Sequence, residues 1–364
     1  MSQDDVYVKL LDELGSFYNG IINRVAFDHA IRKTLTEEEC TVWLLFPKHT
    51  ETPATLQSIK SQTNLPDFDK AFSHLLSLSF IAEWNKNDGI PHYVRNYLFQ
   101  LLMAHNVGCE DTDLAVALSD WFNTMRSGGA SRTPLANPEY RVMTYEGALT
   151  GDDSFGEIPM NLTIPDTREV VTFDIVTELV RKARFILRQP CLCRSSKDWT
   201  GSRTCSYPVD VCLLFDDLAE KTYAMGVGQP ITADEALDIV KKCRDMGLIQ
   251  QVSNSREPSI LCNCCSCCCL VIDGYRHKQY ISGKPSRFVI HYDAAECTSC
   301  GKCASVCPVE ALTMRDNRLC LQKDSCIGCG LCVSRCEHAY LTMELRKNAD
   351  QYLPDREKMD IFFM

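Results

Sequence analysis

Twenty-two of the 364 residues are cysteine, and fifteen of those lie between Cys262 and Cys336. A thiolate is both a nucleophile and a soft metal ligand, so such density is chemistry before it is structure. Two runs share one spacing. From Cys297 the chain reads Cys-Thr-Ser-Cys-Gly-Lys-Cys-Ala-Ser-Val-Cys-Pro, and from Cys326 it reads Cys-Ile-Gly-Cys-Gly-Leu-Cys-Val-Ser-Arg-Cys-Glu. Each is C-x2-C-x2-C-x3-C. Three thiolates at that spacing can wrap one face of an iron–sulfur cubane, while the fourth, on a short helical turn, points away. Structural zinc sites instead pair one C-x2-C with a distant second pair. Eight cysteines in two identical runs fit clusters better.

A second set lies upstream: Cys191, Cys193, Cys205 and Cys212, then Cys262, Cys264, Cys265, Cys267, Cys268 and Cys269. Side chains of adjacent cysteines diverge, so these ten cannot all serve one cubane. The first nine, through Cys268, are taken as candidate metal ligands. Their pairing is open, and so is their metal: a further iron–sulfur cluster, with zinc or free thiols as the alternatives. Arg194 is a donor to a cluster sulfur or a surface cation. Cys40, Cys109, Cys243 and Cys320 are isolated in periodic apolar stretches and read as small core residues.

The C-terminal repeat resembles the bacterial ferredoxin that carries two [4Fe–4S] clusters. That resemblance spans about residues 286–345. It implies one cluster on Cys297, Cys300, Cys303 and Cys336, and another on Cys326, Cys329, Cys332 and Cys307. Gly301, Gly328 and Gly330 would let backbone pass close to sulfur. Pro308 follows the first crossing cysteine as in that family, but Glu337 stands where the second repeat would have proline. The whole chain resembles a group of anaerobe iron–sulfur proteins that combine Pro-Cys-x-Cys-Arg (190–194), Cys-Asn-Cys-Cys-x-Cys-Cys (262–268) and a terminal dicluster ferredoxin. The likeness implies redox work and no settled function.

Composition narrows the classes. Hydrophobic residues make up 45% and charged residues 24%, a globular balance. The length suggests two or three domains. The net charge of −10 disfavours general nucleic-acid binding. The start, Met1-Ser2-Gln3-Asp4-Asp5, lacks the features of a signal peptide. No run of apolar residues is long enough for a membrane span. Oxygen-labile clusters lead to the expectation of an anaerobic cytoplasm.

The positioning elements follow from periodicity and caps. The expected fold class is α+β multidomain: a winged-helix-like domain (1–125), a linker or extended arm (126–165), a mainly helical Cys-rich metal-binding domain (166–285), a βαβ-type dicluster ferredoxin module (286–345) and a tail (346–364). Thr36-x-x-Glu39 and Thr232-x-x-Glu235 read as capping boxes. A helix is expected from Asp67, then a wing through Phe80–Trp84, a turn at Asn87-Asp88-Gly89, and Pro91–Arg95. Helices are expected over Phe173–Gln189 and Val209–Met225, and a strand over Leu248–Val252. The segment Glu157–Asn161 and the final Ile361–Met364 could pack against neighbours. Residues 1–125 hold 9 Lys plus Arg against 17 Asp plus Glu, a net of −8, so the winged helix is expected to dock protein and not DNA.

No dinucleotide fingerprint, P-loop or haem attachment motif is present. The scattered histidines, His291 and His338 included, carry no ligand signal. The leading reading is a low-potential electron-transfer protein serving a partner redox enzyme. The alternatives are an oxidoreductase whose middle cysteine–metal site is catalytic, and an iron–sulfur redox sensor acting through the winged helix. No catalytic residue is assigned.

Overall fold

The structure is a computed structural model that describes residues 5–17, 23–48, 51–85, 89–96, 111–126, 139–150, 175–224, 226–277, 283–292, 294–337 and 340–354. Cys109, the Asn87-Asp88 turn residues, Glu157–Asn161, His338 and Ile361–Met364 lie outside the described residues.

The N-terminal part runs α1 (Val6–Phe17), α2 (Arg24–Thr34), α3 (Glu37–Leu45), β1 (Ala54–Thr55), α4 (Leu56–Lys60), α5 (Phe68–Ser77), β2 (Ile81–Asn85) and β3 (Pro91–Arg95). The strands form an antiparallel sheet in the order β1-β3-β2. Its core is aromatic: Phe46 stacks on Phe72 at 5.8 Å, and Tyr93 meets Phe72 edge-on at 5.0 Å. Fully buried Trp43 donates its indole N–H to the Phe80 carbonyl at 2.8 Å, which satisfies its one polar group. Cys40 is buried in this core, and burial pushes its thiol up to about 12. Helix α6 (Thr112–Arg126) packs on α2.

A seven-stranded sheet occupies the middle, in the order β10-β4-β8-β9-β6-β5-β7. The strands are β4 (Tyr140–Val142), β5 (Ile186–Gln189), β6 (Cys212–Phe215), β7 (Gln229–Ile231), β8 (Ile249–Ser253), β9 (Ile260–Cys264) and β10 (Gly283–Lys284). All pairings are antiparallel except β10 with β4. Strand alternation divides its residues. Leu213, Phe215, Val252 and Leu261 face one core with α8 (Val176–Lys182) and α11 (Ala233–Asp245). Cys212, Gln251, Cys262 and Cys264 therefore belong to the opposite face.

Two expectations are corrected here. The middle region is organised around the seven-stranded sheet, which the expectation of a mainly helical domain left out. The helix expected over Phe173–Gln189 covers only Val176–Lys182, because Ala183 turns extended and Ile186–Gln189 joins the sheet. The run Cys212–Phe215 is buried on both faces, so its continuous apolar pattern suits a central strand as well as a helix. Asp216, in the left-handed region at φ 51°, then breaks the strand and opens α10 (Asp216–Ala224). Cys212 thus stands on a strand, not in a helix's first turns. The second correction concerns the linker. Residues 139–150 are built in: β4 pairs with β8, α7 (Glu146–Thr150) follows, and the Tyr145 N–H donates to the Cys329 carbonyl at 3.0 Å.

Both capping boxes form, at Thr36–Glu39 and Thr232–Glu235. Replacing Thr232 with alanine removes the side-chain acceptor for the Glu235 N–H. The expected cost is about 1 kcal/mol, read as a lower thermal midpoint, with Thr232→Ser restoring most of it.

The C-terminal part holds two antiparallel hairpin-like pairs, β11 (Phe288–Tyr292) with β14 (Leu341–Leu345), and β12 (Leu312–Arg315) with β13 (Arg318–Leu321). A one-turn helix, Lys302–Ser305, lies between them in sequence. A strand thus follows each cysteine run, β12 after the first and β14 after the second, each paired with a different partner. Among the described residues, no helix is long and apolar enough to cross a membrane.

Candidate metal centres

The two C-terminal runs line two cavities. The outer one is walled by Cys297, Cys300, Cys303 and Cys336, with Lys302 and Glu337 at its side. The inner one is walled by Cys307, Cys326, Cys329 and Cys332, with Ile290 and Ile327. The fourth cysteine of each run lines the other run's cavity, the crossed grouping that the ferredoxin resemblance implies. Gly301, Gly328 and Gly330 all have positive φ, at 77°, 72° and 79°, so the loops curl around the sulfurs as only glycine does freely. The Ser299 N–H points at Cys297 Sγ at 3.3 Å. Both donor sets fit a [4Fe–4S] cubane: four thiols, each from a different chain position, around a space free of protein atoms.

Surroundings differ between the two. Cys300 is exposed, whereas Cys329 is buried and its burial pushes the thiol up to about 12. Burial also raises Cys303 and Cys332. Protonated thiols must lose those protons to bind metal, so loading releases acid. Glu337, the departure from the family's proline, is accommodated by an ion pair with Lys302 at 2.5 Å; both side chains are exposed. Cys320 lies on β13 opposite Thr313 and lines neither cavity.

The ten middle cysteines separate into two groups. The sulfurs of Cys205, Cys265, Cys267 and Cys268 all lie within 4.8 Å of one another. Cys205 is 3.7 Å from Cys268, and Cys268 is 3.8 Å from Cys267. Burial opposes ionisation of Cys205, but the Arg203 guanidinium and the Cys267 thiol outweigh it and bring it below the usual thiol range. Cys243 is buried beside this group and stays a core thiol, raised to about 12 by burial.

The other six contact one another in sequence around a ring. Cys191 meets Cys193 and Cys212. Cys212 lies 3.8 Å from Cys262, Cys262 meets Cys264, and Cys269 meets Cys264 and Cys193. Cys262 and Cys264 share a face of β9, and Cys212 is next in the β6–β9 register after Leu213–Leu261. Cys191 and Cys193 open α9 (Leu192–Trp199), which is held against α6 by the Ser119 hydroxyl donating to the Ser196 carbonyl at 3.2 Å. Leu192, Cys193 and Trp199 pack on the N-terminal core.

Two residues gain roles that the sequence did not suggest, Cys269 and Gln251, and Arg194 takes one side of its two readings. Cys269 closes the ring. Gln251 donates its side-chain amide to Cys264 Sγ at 3.0 Å and Cys269 Sγ at 3.5 Å. Arg194, fully buried, is not a surface cation. It donates to the carbonyls of Pro208 at 3.1 Å and Asn263 at 2.8 Å. Burial disfavours its charge, but Cys191, Cys265 and Cys264 more than offset that, so it stays protonated. It thus lies between the two groups. No residue was available as a sequence signal for Gln251, since nothing in a lone glutamine marks it.

The inner cavity and the six-cysteine ring share one apolar cluster. Val142, Ile249, Val271 and Ile272 join Cys264 and Cys269 to Ile327 and Cys329. Comparison with known proteins bears on the C-terminal part alone. The family model for 4Fe–4S dicluster domains matches residues 289–337. No curated protein and no solved structure matches the chain. The chain is α+β and carries a ferredoxin-like dicluster module at its C-terminus, which supports an iron–sulfur electron-transfer role.

Proposed function

We propose that the protein is a two-cluster electron carrier for a partner redox enzyme, with Cys297, Cys300, Cys303 and Cys336 holding one [4Fe–4S] cluster and Cys307, Cys326, Cys329 and Cys332 the other. The observation that carries this reading is the crossed lining of two separate cavities by eight cysteines. Such clusters, when bound, take up and release single electrons at low potential. The chain's own residues set direction. Exposed Cys300 turns the outer set toward solvent and a docking partner, while buried Cys329 turns the inner set toward the middle sheet. The net charge of −10 suits steering toward a basic partner surface. The helices and three-stranded sheet of residues 6–95 follow winged-helix order, and we read this domain as a protein-docking element. Asp69 at the start of α5 is paired with exposed Lys60 at 2.5 Å, and the domain's negative balance disfavours a groove of phosphates. The test is iron and acid-labile sulfide per chain in anaerobically purified protein, with EPR after reduction. At least eight irons and two interacting cubane signals are expected; fewer than about eight irons would contradict the reading.

The four sulfurs of Cys205, Cys265, Cys267 and Cys268 suit a single tetrahedral ion. A metal–sulfur bond of about 2.3 Å puts tetrahedral ligands about 3.8 Å apart, and the contacts here are 3.7 and 3.8 Å. A cubane, binding each thiolate to a different iron, needs them wider. Cys205→Ser is expected to release one zinc or iron ion per chain and to leave sulfide content unchanged, as measured by elemental analysis. Loss of sulfide with the metal would point to a cluster instead.

A further inference from the structure

The ring of six cysteines is drawn from four chain segments: the opening of α9, strand β6, strand β9, and Cys269 ahead of α12 (Leu270–His277). Cys191, Cys212, Cys264 and Cys269 are 8%, 7%, 7% and 4% exposed. Six neutral thiols could in principle fill a core as small hydrophobes. Two features argue otherwise. The Gln251 amide is spent on two of the sulfurs, at 3.0 and 3.5 Å. Arg194, at 0% exposure, sets a buried positive charge beside Cys191 and Cys264. A buried cation and an aimed amide are costly unless the sulfurs facing them carry negative charge. Buried thiolates in turn require metal.

Number and shape then select the kind of metal site. Six thiolates exceed what one tetrahedral ion takes. They also exceed the one terminal thiolate per iron of a single cubane. Among the described cysteines, mutual closeness within 4.8 Å belongs to the other group, and the six run around a perimeter with neighbour contacts such as the 3.8 Å between Cys212 and Cys262.

We propose that Cys191, Cys193, Cys212, Cys262, Cys264 and Cys269 together hold one polynuclear iron–sulfur cluster that is larger than a cubane and bound by all six thiolates. It is separate from the single-ion site at Cys205, and its wall is continuous with that of the inner ferredoxin cavity through Ile249 and Ile272.

The test uses the full chain, purified anaerobically from cells grown on 57Fe. Iron, sulfide and zinc are counted per chain, and the Mössbauer spectrum is recorded for wild type, Cys269→Ser, Cys212→Ser and Cys205→Ser. Wild type is expected to hold more than about twelve irons, that is, more than three cubanes' worth. Cys269→Ser and Cys212→Ser are each expected to lose the excess and keep the eight irons of the terminal module, while Cys205→Ser keeps it. Three results overturn the proposal: about eight irons in wild type, about twelve with a third set of cubane parameters, or an excess that survives both ring substitutions. If a ring variant does not fold, the wild-type count and spectrum alone decide. Ring iron without the module's eight would sink the ferredoxin reading and leave this one standing.

Discussion

Gly328→Ala is expected to empty the inner cavity, lowering iron by about four per chain while the outer site keeps its complement. A Cβ at this position would meet the Phe288 carbonyl oxygen at 2.1 Å and Ser286 Oγ at 2.2 Å, far inside contact distance. Neither neighbour can yield easily. Phe288 opens β11 and pairs with Leu345, and the Ser286 hydroxyl already donates to the Gly328 carbonyl at 2.9 Å. The loop itself must move, and it carries Cys326 and Cys329. The left-handed φ of 72° adds strain to the clash. Gly301→Ala is the control. Its φ is 77°, but the nearest atom to a Cβ there is Met314 Cγ at 3.5 Å, an ordinary contact. That substitution costs backbone strain alone, on the order of 1–2 kcal/mol, and is expected to keep both clusters. Elemental analysis and EPR of the two variants, prepared anaerobically, decide. Full iron in Gly328→Ala would mean the loop tolerates displacement and the cavity is not built on that contact.

The terminal module was the most legible part of the sequence, because its ligand spacing is local: the four cysteines of each run lie within a dozen residues, and the glycines that curl the loops sit inside the motif. Both capping boxes were legible for the same reason. The middle sheet was not. Its strands are short: Cys212–Phe215 is apolar on both faces, and Ile186–Gln189 offers only two apolar residues before Arg188 and Gln189, so periodicity could not separate strand from helix. Helices α1 and α2 went unnamed as well. Their apolar faces, with Leu10, Leu14 and Ile31 fully buried, are completed by packing of α1 on α3 and of α2 on α6, and the Asn23 cap that opens α2 is a single residue with no partner motif downstream.

The structure brings the Cys191/Cys193 segment against the Cys262–Cys269 run, with Cys193 meeting Cys269. The division into four and six was not legible in the sequence. It depends on two local facts. Strand alternation puts Cys262 and Cys264 on one face, and the chain then leaves β9 so that Cys265, Cys267 and Cys268 turn toward Cys205. Cys269 turns back at the head of the next helix. Adjacent cysteines diverge at Cys264/Cys265 and at Cys268/Cys269, which serve different groups, but not at Cys267/Cys268, whose sulfurs lie 3.8 Å apart in one group. Which goes where requires the β6–β9 register, and that comes from tertiary pairing.

Arg194→Leu is expected to be the most damaging substitution outside the cysteines themselves. The side chain is fully buried, and its guanidinium holds together three things: the Pro208 carbonyl, the Asn263 carbonyl on β9, and the sulfurs of both middle groups. Leucine fills part of the volume but leaves two acceptors without a donor and the sulfurs without their counter-charge. Removing one partner from a buried charged contact costs about 3–5 kcal/mol, enough to lower the melting midpoint by many degrees. Lysine keeps the charge but cannot fork to two carbonyls, so Arg194→Lys is expected to fall between. The informative readout is where metal is lost. Because Arg194 faces Cys191 and Cys264 on one side and Cys265 on the other, Arg194→Leu should deplete both middle sites while the EPR signals of the terminal module persist. A variant that keeps its full metal content and melts with the wild type would show the buried cation to be packing alone, and the argument that the ring sulfurs are thiolates would lose one of its two supports.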